Sequence, residues 1–223
     1  MKWKVFILFI FLAGLYSQSF AQQITDPKIK TVGFTPYRKH ITTINGLAIG
    51  LTADPWGEAS DSIYTKVNGL NIELGPFGII GGIWGTMFGL VGVKGNDGHR
   101  DSFFSNYNDT EAPEIIPENI TRLNGLSISV GGVSETFNRG IIINGLSSFC
   151  HQTNGIQVTG LINHTNQCNG ITIAGLANVT NRMNGVQIGL INKCKTGNLV
   201  QIGLFNRIGK RVIPFINMRF HKD

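Results

Sequence analysis

Apolar and polar residues alternate along this chain in short runs, with the period of two that marks a half-buried β-strand. Leu47, Ile49 and Leu51 alternate with small residues, and Leu70, Ile72 and Leu74 alternate with polar ones. From Ile120 to Asn206 the runs become regular, with glycine returning every fifteen residues at Gly125, Gly140, Gly155, Gly170 and Gly185. The unit from Asn154 to Asn163 reads Asn-Gly-Ile-Gln-Val-Thr-Gly-Leu-Ile-Asn. It returns from Asn169 to Asn178, then in shortened form from Asn184 to Asn192 and from Asn198 to Asn206. Self-similarity at a fixed period predicts a repeat architecture before any single element is assigned.

The apolar triplet of each unit (Ile156, Val158 and Leu161 in one copy, Ile171, Ile173 and Leu176 in the next) is expected to face a core. Alternation then puts Gln157, Thr172, Gln187 and Gln201 on the opposite face, as a candidate exposed binding face. The asparagines line up too, Asn154, Asn169, Asn184 and Asn198 opening the units and Asn163, Asn178, Asn192 and Asn206 closing them. Stacked asparagines form hydrogen-bonded ladders, and glycine after asparagine suits a left-handed corner.

Two all-β architectures accept this pattern: a solenoid in which each unit is one coil, and an up-and-down outer-membrane barrel in which each unit is a strand and a turn. The unit lengths separate them. Two residues, Thr159-Gly160 or Ala174-Gly175, stand between the second and third apolar positions of two units, whereas only Gly189 or Gly203 stands there in the next two. Inside a continuous strand the extra residue would move every later side chain to the other face, whereas at a solenoid corner it costs little. Aromatic girdles expected of membrane strands are also missing from the units. The expected fold is a β-solenoid of roughly 15-residue units with a C-terminal capping strand over residues 212 to 220.

The segment from Phe77 to Val93 has no charge and spaces Gly81, Gly85 and Gly89 four apart. On a helix this is a smooth face for close packing, as in membrane helix pairs. Seventeen residues is the lower limit for a span, so the expectation is a buried Gly-rich strand pair or helix covering the open end of the array. Asp54 to Tyr64 and Lys94 to Glu118 are polar and turn-rich, and read as loops. Asn96-Asp-Gly with Asp101 offers oxygen ligands but lacks the spacing and terminal glutamate of a calcium loop, so a solvated turn is the expectation. The chain thus divides into residues 1 to 21, an N-terminal part over 22 to 118 with two early repeats, and the regular array over 119 to 223.

Composition adds a destination. Met-Lys-Trp-Lys, an apolar run from Val5 to Leu15 and Ser19-Phe-Ala21 make a secretory signal peptide with cleavage after Ala21. The net charge is +6, of which Lys2 and Lys4 leave with the signal, and no dense basic run remains. Nucleic acid is therefore not an expected partner. Three cysteines, Cys150, Cys168 and Cys194, are an odd number for an exported chain. Cys150 and Cys194 fall in nearly one repeat column but three units apart, roughly 14 Å at β spacing. They are expected to be small buried residues rather than a disulfide. The five histidines show no metal spacing, no nucleophile motif is present, and neither a catalytic residue nor a cofactor is implied.

The units Asn-Gly-Val-Gln-Ile-Gly-Leu-Ile-Asn and Leu-Val-Gln-Ile-Gly-Leu-Phe-Asn, with the ending Val-Ile-Pro-Phe-Ile-Asn-Met-Arg-Phe, resemble bacterial surface-repeat proteins built of Gly-Leu-Gln-Ile-Gly-Leu-Val-Asn units. These are named after leptospiral examples and are common in Bacteroidetes. The resemblance covers mainly Ile120 to Phe220 and implies an exported protein of the bacterial cell envelope, in the periplasm, the outer membrane or at the cell surface. The expected role is structural or adhesive and not catalytic. The expected partner is an envelope component or a glycan, with membrane association through residues 77 to 93. A small outer-membrane barrel acting as pore or anchor is the alternative.

Overall fold

The structure is a computed structural model that describes residues 28–36, 42–53, 65–91, 93–94, 100–101 and 120–220. The chain runs through β1 (Lys28–Thr35), β2 (Thr42–Gly50), β3 (Thr65–Glu73), helix α1 (Pro76–Val91) and the short pair β4 (Val93–Lys94) and β5 (Arg100–Asp101). The array follows as β6 (Thr121–Ser129), β7 (Ser134–Asn144), β8 (Ser147–Thr159), β9 (Ile162–Ala174), β10 (Ala177–Ile188), β11 (Ile191–Ile208) and β12 (Arg211–Arg219). Apart from β4 and β5, all the strands lie in one sheet in chain order. Neighbours are parallel except for β11 and β12.

Only Gly160 and Leu161 separate β8 from β9, and only Gly175 and Leu176 separate β9 from β10. Two residues cannot carry a chain from the end of one strand back to the start of a parallel neighbour. Each strand must therefore bend round the axis and return one rung higher, so that the strand is itself the coil. The result is a β-solenoid of about eight turns and not a barrel. An up-and-down barrel needs antiparallel neighbours, so the alternative architecture is overturned, and the pore reading falls with it.

Register is set by stacking like on like. Gly140 pairs with Gly155, Gly155 with Gly170 and Gly170 with Gly185. At this column the backbone turns outward at positive φ, +141° at Gly170, and a Cβ there would overlap the carbonyl oxygen of Gly155 in the coil below. Only glycine meets both conditions. The length change read from sequence falls at the corner: Ile173 and Ala177 are matched by Ile188 and Ile191, so the missing residue is lost at the Gly189-Leu190 turn and both flanks keep their faces. Long excursions leave the stack equally intact. The early repeats β2 and β3 join the same sheet, and Gly69 pairs directly with Gly125 across the segment that holds α1.

The faces, however, are the reverse of those expected. Gln157, Gln187 and Gln201 are 0% exposed and Thr172 is 1% exposed, whereas Ile156 and Ile188 are 37% exposed and Leu204 is 49% exposed. The four polar residues point into the coil and are not a binding face. Coils of this size enclose a narrow interior, where polar partners come from across the same coil and from the coil below. Gln157 donates to Ser148 Oγ at 2.6 Å, Gln187 to Thr180 Oγ1 at 2.9 Å, and Gln201 to Gln187 Oε1 at 2.7 Å. The closing asparagines form the expected ladder, also inside: Asn163 to Asn178, Asn178 to Asn192 and Asn192 to Asn206, at 2.8 to 2.9 Å. Each also donates to a backbone carbonyl, of Ile173, Ile188 and Ile202 in turn. A buried amide satisfied in this way escapes the cost of an unpaired one. Small apolar clusters fill the rest, with Ile44, Val67 and Leu123 toward one end and Cys168, Met183 and Leu199 toward the other.

Helix α1 lies along the side of the stack rather than over its open end. Its glycines permit the contact: a Cβ on Gly78 would strike the backbone of Gly132, and one on Gly81 would strike the Phe149 ring. Ser147 Oγ donates to the Gly78 carbonyl at 2.5 Å. With 16 residues the helix is not long and apolar enough to cross a membrane. At the C-terminus β12 folds back antiparallel on β11 and places Asn217 against the Asn206 carbonyl, as the expected capping strand. The signal peptide, the 54–64 insert, most of the 94–118 loop and residues 221–223 lie outside the described residues.

Adjacent residues of β10 should respond oppositely to substitution. Gln187→Lys removes the acceptor of Gln201 and buries a charge, and should lower unfolding free energy by about 3 kcal/mol or more. Ile188→Ser on the outside should change it by less than about 1 kcal/mol. Urea unfolding of both variants checks this, and the reverse order would put the glutamines back on the surface.

Candidate functional site

With polar residues inside, the apolar ones form the outer wall. Two columns run the full height of the sheet on this wall. One starts at Val32 of β1, passes through Leu47, Leu70 and their equivalents, and ends at Met218 of β12. The other starts at Phe34, passes through Ile49, Ile72 and their equivalents, and ends at Ile216. Each of the eight coils between β1 and β12 places Leu, Ile or Val in both columns, so no polar side chain interrupts either one. Leu190 and Leu204 widen the strip at the adjoining corner.

Ten strands at β spacing make the strip about 43 Å long, and the three residues that the two columns span make it about 10 Å wide. The footprint of roughly 400 Å² is in the range of the largest apolar patch of a monomer, a size that often marks a functional surface. The backbone amides and carbonyls beneath are engaged in the inter-coil ladder, so the wall offers a partner apolar contact and almost no hydrogen bonds.

Its two margins differ. Ahead of the glycine corner the asparagines that open the units stack on the outside: Asn68 donates to Asn45 at 2.7 Å, Asn124 to Asn68 at 2.8 Å, and Asn184 to Asn169 at 3.0 Å. Arg139 replaces asparagine in this column, and Lys66, Arg122 and Arg182 stand two residues earlier in theirs. The Arg122 guanidinium lies over the Phe137 ring at 5.6 Å. Along the other margin runs α1, with Phe77, Ile80 and Ile83 exposed. Residues 120 to 220 hold nine lysines and arginines against one acid, Glu135. That carboxylate is engaged by His151 Nε2 at 2.5 Å, a hydrogen bond that holds its pKa below the ordinary value.

No protein-family model, curated protein or solved structure matches the chain.

The ionisable groups inside the coil are suited to structure. Cys150, Cys168 and Cys194 are free and buried, as expected for Cys150 and Cys194. Burial pushes the Cys168 and Cys194 thiols up to about 12, so the nucleophilic thiolate is scarce at neutral pH. Cys150 is raised as well, and lies within reach of Asn138 Nδ2 at 3.0 Å and Ser148 Oγ at 3.1 Å. Glu73 is a buried carboxylate that accepts from the Ala53 amide at 2.8 Å and from Asn71 Nδ2 at 3.1 Å. Desolvation still raises its pKa, against the lowering effect of those bonds. Among the described residues no group of His, Cys, Asp and Glu could hold a metal ion.

Alternation does not reveal the wall by itself, because it marks two faces without saying which is inner. A signal was nonetheless present. A core needs apolar residues on every wall that encloses it, and the second part of each unit, such as Asn178-Val-Thr-Asn-Arg182, supplies mostly polar ones.

Two measurements follow. Glu73 binds its proton more tightly in the folded chain than at the ordinary 4.5, so stability should fall as pH rises above that value, until the raised pKa is passed. Glu73→Gln keeps an oxygen for the Ala53 amide, and should flatten this part of the pH profile and be more stable than the wild type above it. An unchanged profile by denaturant unfolding at several pH values would refute the assignment. A thiol reagent should label none of the three cysteines in the native protein and all of them in denaturant. Fast native labelling of Cys168 or Cys194 would contradict their placement inside the coil.

Proposed function

We propose that this chain is an exported cell-envelope protein with a structural or adhesive role, a rigid scaffold whose working surface is its apolar outer wall. One observation carries this: two unbroken apolar columns cover ten strands on the outside of a coil that encloses Gln157, Gln187, Gln201 and the closing asparagines. A chain that leaves such a surface uncovered in water is liable to aggregate, so the wall calls for a partner. The signal peptide read from residues 1 to 21 supports an envelope destination, and the absence of any catalytic constellation in the sequence fits a binding role. The reading of a polar Gln/Thr face toward a glycan gives way to the apolar wall, because Gln157, Thr172, Gln187 and Gln201 are enclosed.

Fractionation of cells producing the chain with a C-terminal epitope provides the test. The protein should be recovered in the envelope fraction with its N-terminus at Gln22, and alkaline carbonate should release it, because no part of the reading requires a span. Recovery in the cytosol with residues 1 to 21 retained would reject the proposal.

A further inference from the structure

Resting on the envelope binding role above, we infer that the apolar wall docks on the surface of an anionic lipid bilayer, lying flat with its two columns in the headgroup and acyl boundary. The chemistry of the wall favours lipid over protein. A protein partner is ordinarily held by around ten hydrogen bonds as well as apolar contact, and the two columns present no side-chain donor or acceptor. Acyl chains need none. Apolar faces of this kind sink about 5 to 10 Å into a membrane interface, and side chains standing from one flat wall match that depth.

Charge selects the kind of lipid. Nine cations face a single acid over residues 120 to 220, and that acid is engaged by His151. Arg122, Arg139 and Arg182 stand at the margin of the wall, just ahead of the glycine corner. There they would lie level with headgroup phosphates while the columns meet acyl chains, and each such cation near an anionic surface contributes to attraction. The same charges count against a second copy as the occupant, since face-to-face packing would bring two like-charged arrays together. Helix α1 borders the opposite margin and exposes Phe77, Ile80 and Ile83. Being too short to cross, it extends the apolar surface instead of anchoring it.

Flotation with vesicles tests this, using the exported chain with its N-terminus read by mass spectrometry. It should float with vesicles of phosphatidylglycerol and phosphatidylcholine, and bind about tenfold or more weakly to phosphatidylcholine alone or when salt rises from about 0.05 to about 0.5 M. Ile143→Glu with Ile188→Glu should lose binding by about tenfold or more while keeping the far-ultraviolet spectrum and a cooperative unfolding transition. Arg139→Glu with Arg182→Glu leaves the wall intact, so it keeps the test decisive if the first variant does not fold. It should lose the preference for anionic vesicles. Equal binding to neutral vesicles overturns the inference, as does absence of binding to anionic ones. So does a dimer in sedimentation that the wall variant abolishes, with no protein floating, which would make a second copy the occupant. A cytosolic location would reject the envelope reading and leave vesicle binding as it stands. Failure to float by a protein that fractionates with the envelope rejects the lipid inference alone.

Discussion

Hydrogen bonding of each coil to the next in strict register is the constraint on which the rest of the molecule depends. Because residue i lies over its equivalent one unit earlier, every side chain meets a near copy of itself at the spacing between strands. A column therefore has to be made of residues that tolerate their own kind at close range. Glycine does so where the backbone turns outward, as at Gly155, Gly170 and Gly185, and asparagine does so by donating from its amide to the copy on one side while accepting from the copy on the other, upward in the closing column and downward in the opening one. Lysine or glutamate would not, and the column of opening asparagines is broken by Arg139 alone among its eight members.

That self-pairing explains how the coil can keep its polar groups inside. In a globular core a buried glutamine must find a partner by the accidents of packing. Here Gln201 finds Gln187, and Asn192 finds Asn206, simply because the same residue type recurs one turn away. The interior need not be broadly apolar to hold together, since the inter-coil ladder and the amide columns are cooperative along the axis. Apolar residues released from the interior are then free to serve the outside. The outward wall and the amide-lined interior are two results of one register.

Much of this was legible in the chain. The glycine period predicts the coil, the one-residue difference between the Gly160 and Gly189 corners separates solenoid from barrel, and the closing asparagines predict a ladder that is present. The burial of Cys150 and Cys194 was also foreseen, from spacing. Orientation was not. Period two divides a strand into two faces, and the habit of placing isoleucine inward rests on globular proteins, where one face must supply a shared core. In a single-layer coil the inner face is decided by which side chains find partners in a narrow space, and Gln201 finds Gln187 in the coil below while Gln157 finds Ser148 across its own coil. The packing of α1 was likewise half visible. Its glycine spacing predicts a close contact, but only the fold shows the contact to be with the turn at Gly131-Gly132 and the Phe149 ring rather than with a second helix.

The reversal of direction at β12 has a further consequence. Eight coils could in principle grow without limit, because the upper edge of each is a template for the next, and a second molecule could add its own first rung there. Folding β12 back antiparallel changes the polarity of the exposed edge at that end. An incoming parallel coil can no longer continue the glycine and asparagine columns. The last strand thus works as a chain terminator, fixing the length of a structure whose repeat carries no instruction to stop.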